Sequence, residues 1–183
     1  MPAIQMTLQE LKSRGQQVSR LMRPLARVKY GPASEVKSTQ HSFMIGTHDG
    51  SPSESDPTEW RFSTRVSGLR AAYYEVWTRV DDDYWCLEKA YLNVFRTDRA
   101  TEDETKYLSL HCDPSQPDSA PHARYKKGPH LHIQVAEEPF PQAHIALTGG
   151  QLDEVLCSLE SLSQAIGWAV QMLREEVLDR ITH

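Results

Sequence analysis

Apolar positions recur along this chain with two different periods, and the switch between them marks out three parts. Leu8, Leu11, Val18, Leu21, Met22 and Leu25 fall near helical spacing. Thr7 ahead of them and Glu10 three residues on have the capping-box form, in which hydroxyl and carboxylate satisfy each other's orphan amides. The pattern predicts a helix over 7–25, weakened at Gly15 and kinked or ended by Pro24.

From 35 to 136 the period becomes two. A strand is expected over 35–46, where alternation is weak, followed by a loop over 47–58 rich in proline, serine and acids. Trp60, Phe62, Thr64 and Val66 alternate with Arg61, Ser63 and Arg65, which predicts a strand. Segments 69–80 and 84–96 are rich in aromatic and β-branched residues and flank Asp81-Asp82-Asp83, a hairpin with an acidic, solvated turn. After a charged loop, 106–113 and 130–136 complete a meander of about six strands. The connection 114–129 between them carries four prolines and the basic run Arg124-Tyr125-Lys126-Lys127, a length and composition that suit binding.

Thr148-Gly149-Gly150 then breaks a preceding strand, and a long helix is expected over 150–181. Val155, Leu159, Leu162, Ile166, Ala169, Leu173 and Val177 form a narrow seam close to a heptad. Its length, about 46 Å at 1.5 Å per residue, exceeds what covering a small sheet needs, so pairing with another helix or a second subunit is expected. The result is an α+β fold in one domain of 183 residues: an N-terminal helix, a largely antiparallel sheet and a long C-terminal helix.

Composition narrows the function. A net charge of −5 argues against a general nucleic-acid coat, yet the first 30 residues carry six cations against Glu10 alone. A basic amphipathic helix of this kind meets phosphates or an anionic lipid surface, or simply presents a solvated face. Cys86, Cys112 and Cys157 are odd in number and scattered, the pattern of reduced thiols. With no apolar run near 18 residues and no signal-like segment, a cytoplasmic protein without membrane association is expected.

The candidate chemistry lies in one window. Five of the eight histidines (His111, His122, His130, His132, His144) fall within residues 111–144. On a strand, His130, His132 and Gln134 share one face and Leu131, Ile133 and Val135 the other. An antiparallel pairing of 106–113 with 130–136 sets His111 opposite His130 or His132 if paired positions sum to 241 or 243, and an even sum turns it away. In the favourable register His111, His130, His132 and Asp113 converge, a ligand set for zinc or another divalent metal, or a cluster for direct acid–base and nucleophilic work. His122, Lys126 and Lys127 would overhang it and hold phosphate groups, and Gln134 or Asp113 would fix imidazole tautomers.

His130-Leu131-His132-Ile133-Gln134-Val135-Ala136 resembles the motif of histidine-triad transferases. The resemblance implies His132 as the phosphate-attacking nucleophile, with Gln134 supporting a nucleotidyl intermediate. Where that family places a helix and a Gly-Gln stretch before the strand, this chain has its Pro-rich basic loop. His130-Leu131-His132 with Glu137 is also similar to the first cupin motif, but a cupin barrel needs further strands and a second histidine motif where this chain turns helical.

Two functions remain open from the sequence. One is a small hydrolase or transferase acting on a phosphate-bearing substrate, nucleotide or nucleic acid, through His111, His130 and His132. The other is a non-catalytic interaction subunit, a homodimer or partner-binding protein, pairing through its last helix and sheet face.

Overall fold

The computed structural model describes residues 4–37, 40–52, 54–98, 100–101, 103–133 and 143–181. The capping box forms: the Thr7 hydroxyl accepts from the Glu10 amide at 3.3 Å, and the Glu10 carboxylate accepts from the Thr7 amide at 2.7 Å. It starts α1 (Leu8–Leu21), directly after the short strand β1 (Gln5–Thr7). The helix ends at Leu21, three residues before Pro24, so the proline follows the helix and does not kink it.

Among the described residues the sheet has nine strands, more than the six expected, and its pairings are antiparallel. β2 (Lys29–Lys37) and β3 (Gln40–His48) form a hairpin, so the strand expected over 35–46 is the meeting of two. β4 (Phe62–Ser63) is short, and a 3₁₀ turn over Pro57–Glu59 takes up the approach to it. β5 (Leu69–Arg79) and β6 (Tyr84–Thr97) form the expected hairpin. The Asp81 carboxylate closes their turn by accepting the amides of Asp83 and Tyr84, each at 2.8 Å. β7 (Glu104–Cys112), β8 (His130–Ile133) and β9 (Ala143–Ala146) complete the order β2-β3-β5-β6-β7-β8-β9, with β1 on β6 and β4 on β5. The predicted continuation of β8 to residue 136 lies outside the described residues.

The C-terminal helical stretch is long but divided. A short turn α2 (Ala123–Lys126) sits in the loop before β8, and α3 (Leu152–Val155) opens the C-terminal part. Ser158 then adopts an extended conformation and caps α4 (Leu159–Met172) by accepting the Ser161 amide at 3.1 Å. A π turn (Leu173–Val177) and a 3₁₀ turn (Leu178–Arg180) carry the helix to its end. Leu162, Ile166, Ala169 and Leu173 of the predicted seam are buried in the core, with Val170 beside them, while Val155, Leu159 and Val177 of the seam are only partly buried. None of the described helices is long and apolar enough to cross a membrane.

Side-chain alternation gives the sheet two unlike faces. Tyr73, Trp77, Leu87, Leu92 and Leu110 point toward α1 and α4 and form the main core with Val18, Met22, Leu162 and Ile166. Full burial of each such side chain stabilises the fold by about 1.5–3 kcal/mol. The opposite face carries a smaller cluster, Met44, Tyr74 and Val76, with Tyr91 against it. Trp60 packs there in a slot made by the paired glycines Gly31 and Gly46: a Cβ on either would meet its ring within 2.9 Å.

α1 buries Leu11, Arg14, Gly15 and Val18, one helical stripe that includes a charged residue. The Arg14 guanidinium donates to both Glu75 oxygens, at 3.1 and 2.8 Å, with both side chains at 0% exposure. Glu75 also accepts from the Tyr73 hydroxyl at 2.8 Å and the Trp77 indole at 3.1 Å. Arg14 gives its remaining donor to Gln17 at 2.7 Å and to Ser163 of α4 at 2.9 Å. Burial opposes the charge on Arg14, but the facing Glu75 carboxylate more than offsets it and its pKa stands above the ordinary arginine value.

This network predicts an asymmetry. Glu75→Leu strands the guanidinium, the phenol and the indole together, and costs about 3–5 kcal/mol. Arg14→Met leaves Glu75 with two donors and costs less, and the double substitution costs less than the sum. Urea unfolding of the three variants checks this; an Arg14→Met loss equal to that of Glu75→Leu would contradict it.

Candidate active site

β7 and β8 pair with Ser109 opposite His132, Leu110 opposite Leu131 and His111 opposite His130, so paired positions sum to 241. This is one of the two registers that bring His111 alongside. β9 adds His144 opposite His132. Directly opposed residues share a face, so the four imidazoles lie on the side of the sheet that carries Tyr91, which is opposite His111 on β6.

The rings are close. His111 lies 5.9 Å from His130 and 5.2 Å from His132, centroid to centroid. His144 lies 5.4 Å from His130 and stacks on His132 at 4.8 Å. His122 joins from the loop 114–129: it holds a left-handed backbone (φ 61°) and its ring lies 6.4 Å from His144, nearly parallel. The loop is anchored at the Asp113 amide, which donates to Lys126 O at 2.9 Å, and at the Ser115 hydroxyl, which donates to Leu87 O at 2.6 Å.

The deep wall of the cluster is built in layers. His111 stacks on Tyr91 with centroids 3.8 Å apart, and the Tyr91 hydroxyl donates to Asp113 at 2.5 Å. His130, only 1% exposed, faces the Gly128 carbonyl through Nδ1 at 3.0 Å. A carbonyl can only accept, so Nδ1 carries the proton and Nε2 keeps its lone pair. Nε2 of His111 is buried and has no partner among the described residues.

Electrostatics keep these rings neutral. Burial pushes the His111 pKa down to about 3, and the charges of His130, His132, Lys106 and His144 push the same way. His130 is also lowered, by burial above all, although its bond to Gly128 and the Asp113 charge pull upward. His144 is lowered by burial and then by His132, His130, Lys126 and His122. Burial raises the Asp113 carboxyl above its ordinary range, against the hydrogen bond from Tyr91.

The expected site residues thus separate. His111, His130, His132 and Asp113 share the face, His122 reaches its edge, and the charge of Lys126 acts on Asp113, His130 and His144. Lys127 does not join them: it is buried and its ammonium pairs with Asp118. Gln134 lies outside the described residues. Among the described residues, no group of three or more His, Cys, Asp or Glu is arranged to hold a metal ion. Sequence reasoning counted His144 in the window without giving it a role, and missed Tyr91. For His144 the available signal is the proline pair Pro139 and Pro141 ahead of it in the sequence, a composition that ends one strand before another, whereas nothing local distinguishes Tyr91 from the other aromatic residues of β6.

Acid stability follows from the buried imidazoles. In the unfolded chain they titrate near 6.5, and in the folded protein lower, so between those values the unfolded state binds more protons. Stability is therefore full above about pH 6.5 and falls as pH drops toward 3, by about 1.4 kcal/mol per pH unit for His111 alone. His111→Phe keeps a ring on Tyr91 and removes that proton. Urea unfolding between these pH values should give the variant a shallower slope than the parent, and equal slopes would reject the assignment.

No family model, curated protein or solved structure matches the chain, and the chemistry of this face rests on its geometry.

Proposed function

We propose that the histidine face cleaves or transfers a phosphate ester, with His132 and His144 as an acid–base pair. The observation that carries this reading is their stacking at 4.8 Å, where both rings are half-buried, above deeper imidazoles held neutral. In this reading one ring of the pair acts as the base and the other as the acid. The ring acting as base takes the proton of the attacking hydroxyl or water as the new P–O bond forms. The protonated ring gives its proton to the leaving oxygen as the old P–O bond breaks.

Lys126 is the cation placed to hold the phosphate oxygens, since its charge already bears on His144. His130 is a positioning residue, its ring fixed by the Gly128 carbonyl. His111 and Tyr91 with Asp113 form the rigid back of the face. The interaction-subunit alternative draws less support, because the middle of the helical seam on which it rests (Leu162, Ile166, Ala169 and Leu173) is buried in the chain's own core.

The test is a phosphodiesterase screen using an activated diester and labelled RNA. His132→Ala and His144→Ala should each lower kcat by about 10²–10⁴-fold and flatten one limb of a bell-shaped pH profile. Lys126→Ala should chiefly raise KM. Activity untouched by the His132→Ala/His144→Ala double substitution would end this reading. Activity lost on chelation and restored by zinc would replace it with the metal-assisted version expected from the sequence.

A further inference from the structure

The helical side of the molecule carries a second feature that the histidine face does not use. A groove of about 320 Å³ runs where α1 ends and the chain turns into β2, lined by Gln16, Ser19, Arg20, Arg23, Arg27 and Tyr30 among others, none of them acidic. Arg20, Arg23 and Arg27 are exposed and have no carboxylate partner among the described residues. Arg65, also exposed, joins them by donating to Arg23 O at 3.2 Å.

Three details make this more than a solvated basic surface. First, cations gather here in a chain whose net charge is −5, so the groove attracts what the rest of the molecule repels. Second, the Tyr30 ring lies against Gly15: a Cβ there would stand 2.0 Å from its Cδ2, and the glycine allows the ring this seat. Tyr30 remains 38% exposed, an aromatic surface among guanidiniums. Third, the Ser19 hydroxyl is buried at the groove with no partner among the described residues, a donor left for a ligand oxygen.

Unpaired arginines beside a seated aromatic ring suit single-stranded nucleic acid: phosphates meet the guanidiniums and a base stacks on the ring. A lipid surface would call for apolar side chains projecting around the cations, whereas here the cations line a concave groove. We propose that this groove holds a segment of single-stranded nucleic acid. α1 packs on the sheet face opposite the histidines, so the groove is a holding site separate from that face and does not depend on its chemistry.

Fluorescence anisotropy of the full chain with labelled oligothymidylate of about 12 nucleotides tests this, DNA being used because it lacks the 2′-hydroxyl. Binding should saturate, and log K should fall with log salt at a slope of about −2 between about 50 and 200 mM, as three phosphate contacts require. Arg20→Gln/Arg23→Gln/Arg27→Gln should bring the slope near zero and weaken binding at least tenfold. Tyr30→Ala should weaken it about tenfold with the slope kept. Tyr30→Phe, which keeps the ring on Gly15, should bind as the parent does, and so should His132→Ala. Circular dichroism checks that each variant is folded. Absence of saturable binding, a triple variant that binds as the parent does, or capture by phosphatidylserine vesicles in place of the oligonucleotide would overturn the proposal.

Discussion

The buried ion pair of Arg14 and Glu75 is the constraint on which the arrangement of this fold rests. A guanidinium and a carboxylate at 0% exposure are tolerable only when nearly every donor and acceptor is satisfied. That condition is met by groups from three elements: Tyr73 and Trp77 on the strand, Gln17 on the same helix, and Ser163 on the last one. The pair therefore sets the rotation of α1, the seat of α4 and the facing of β5 together. Rotating the helix by one residue, or slipping the strand by one, would bury an unpaired charge.

Strand facing then propagates. With Glu75 turned toward the helices, Tyr74 must turn away. Tyr74 is paired with Tyr91 on β6, and Tyr91 with His111 on β7. His111 is paired with His130 on β8, and His132 with His144 on β9. One pair near the middle of the sheet thus decides, four strands away, that the histidines face outward from the helical layer. The same rotation of α1 leaves its other side, with Arg20, for solvent.

Much of this was legible in the residues. The Thr7–Glu10 box, the Asp81–Asp83 turn and the alternation of 69–96 are local signals, and local hydrogen bonds satisfy them whatever the rest of the chain does. The register of His111 could be narrowed to two sums because a strand has only two faces. What escaped was non-local. Arg14 reads as one more cation of a basic helix until its carboxylate appears 61 residues later. The alternation of Trp60 to Val66 promised a full strand, but Trp60 is held instead by the glycine slot on β2 and β3. Lys127 reads as a phosphate ligand because its run is basic, yet its side chain is buried and its ammonium pairs with the exposed carboxylate of Asp118. The expected single helix over 150–181 is interrupted because Ser158 satisfies the Ser161 amide with its side chain, an option that apolar spacing does not reveal.

The two faces solve opposite electrostatic problems with one scaffold. On the histidine face, titratable rings are crowded and dried until protonation is unfavourable, which destabilises the folded protein in acid but keeps imidazole lone pairs available at neutral pH. On the helical side, Arg20, Arg23 and Arg27, which cannot lose their protons, are left wet and without a carboxylate partner among the described residues, so their charge reaches outward. Exchanging the two settings would defeat both: wet histidines would titrate like free ones, and dry arginines would each need a carboxylate. Arg14 meets that second requirement, and its partner is the residue that orients the sheet. The buried Arg14 and the exposed Arg20 of α1 are therefore parts of one arrangement, in which a single internal pair allows the other arginine of the helix to face outward.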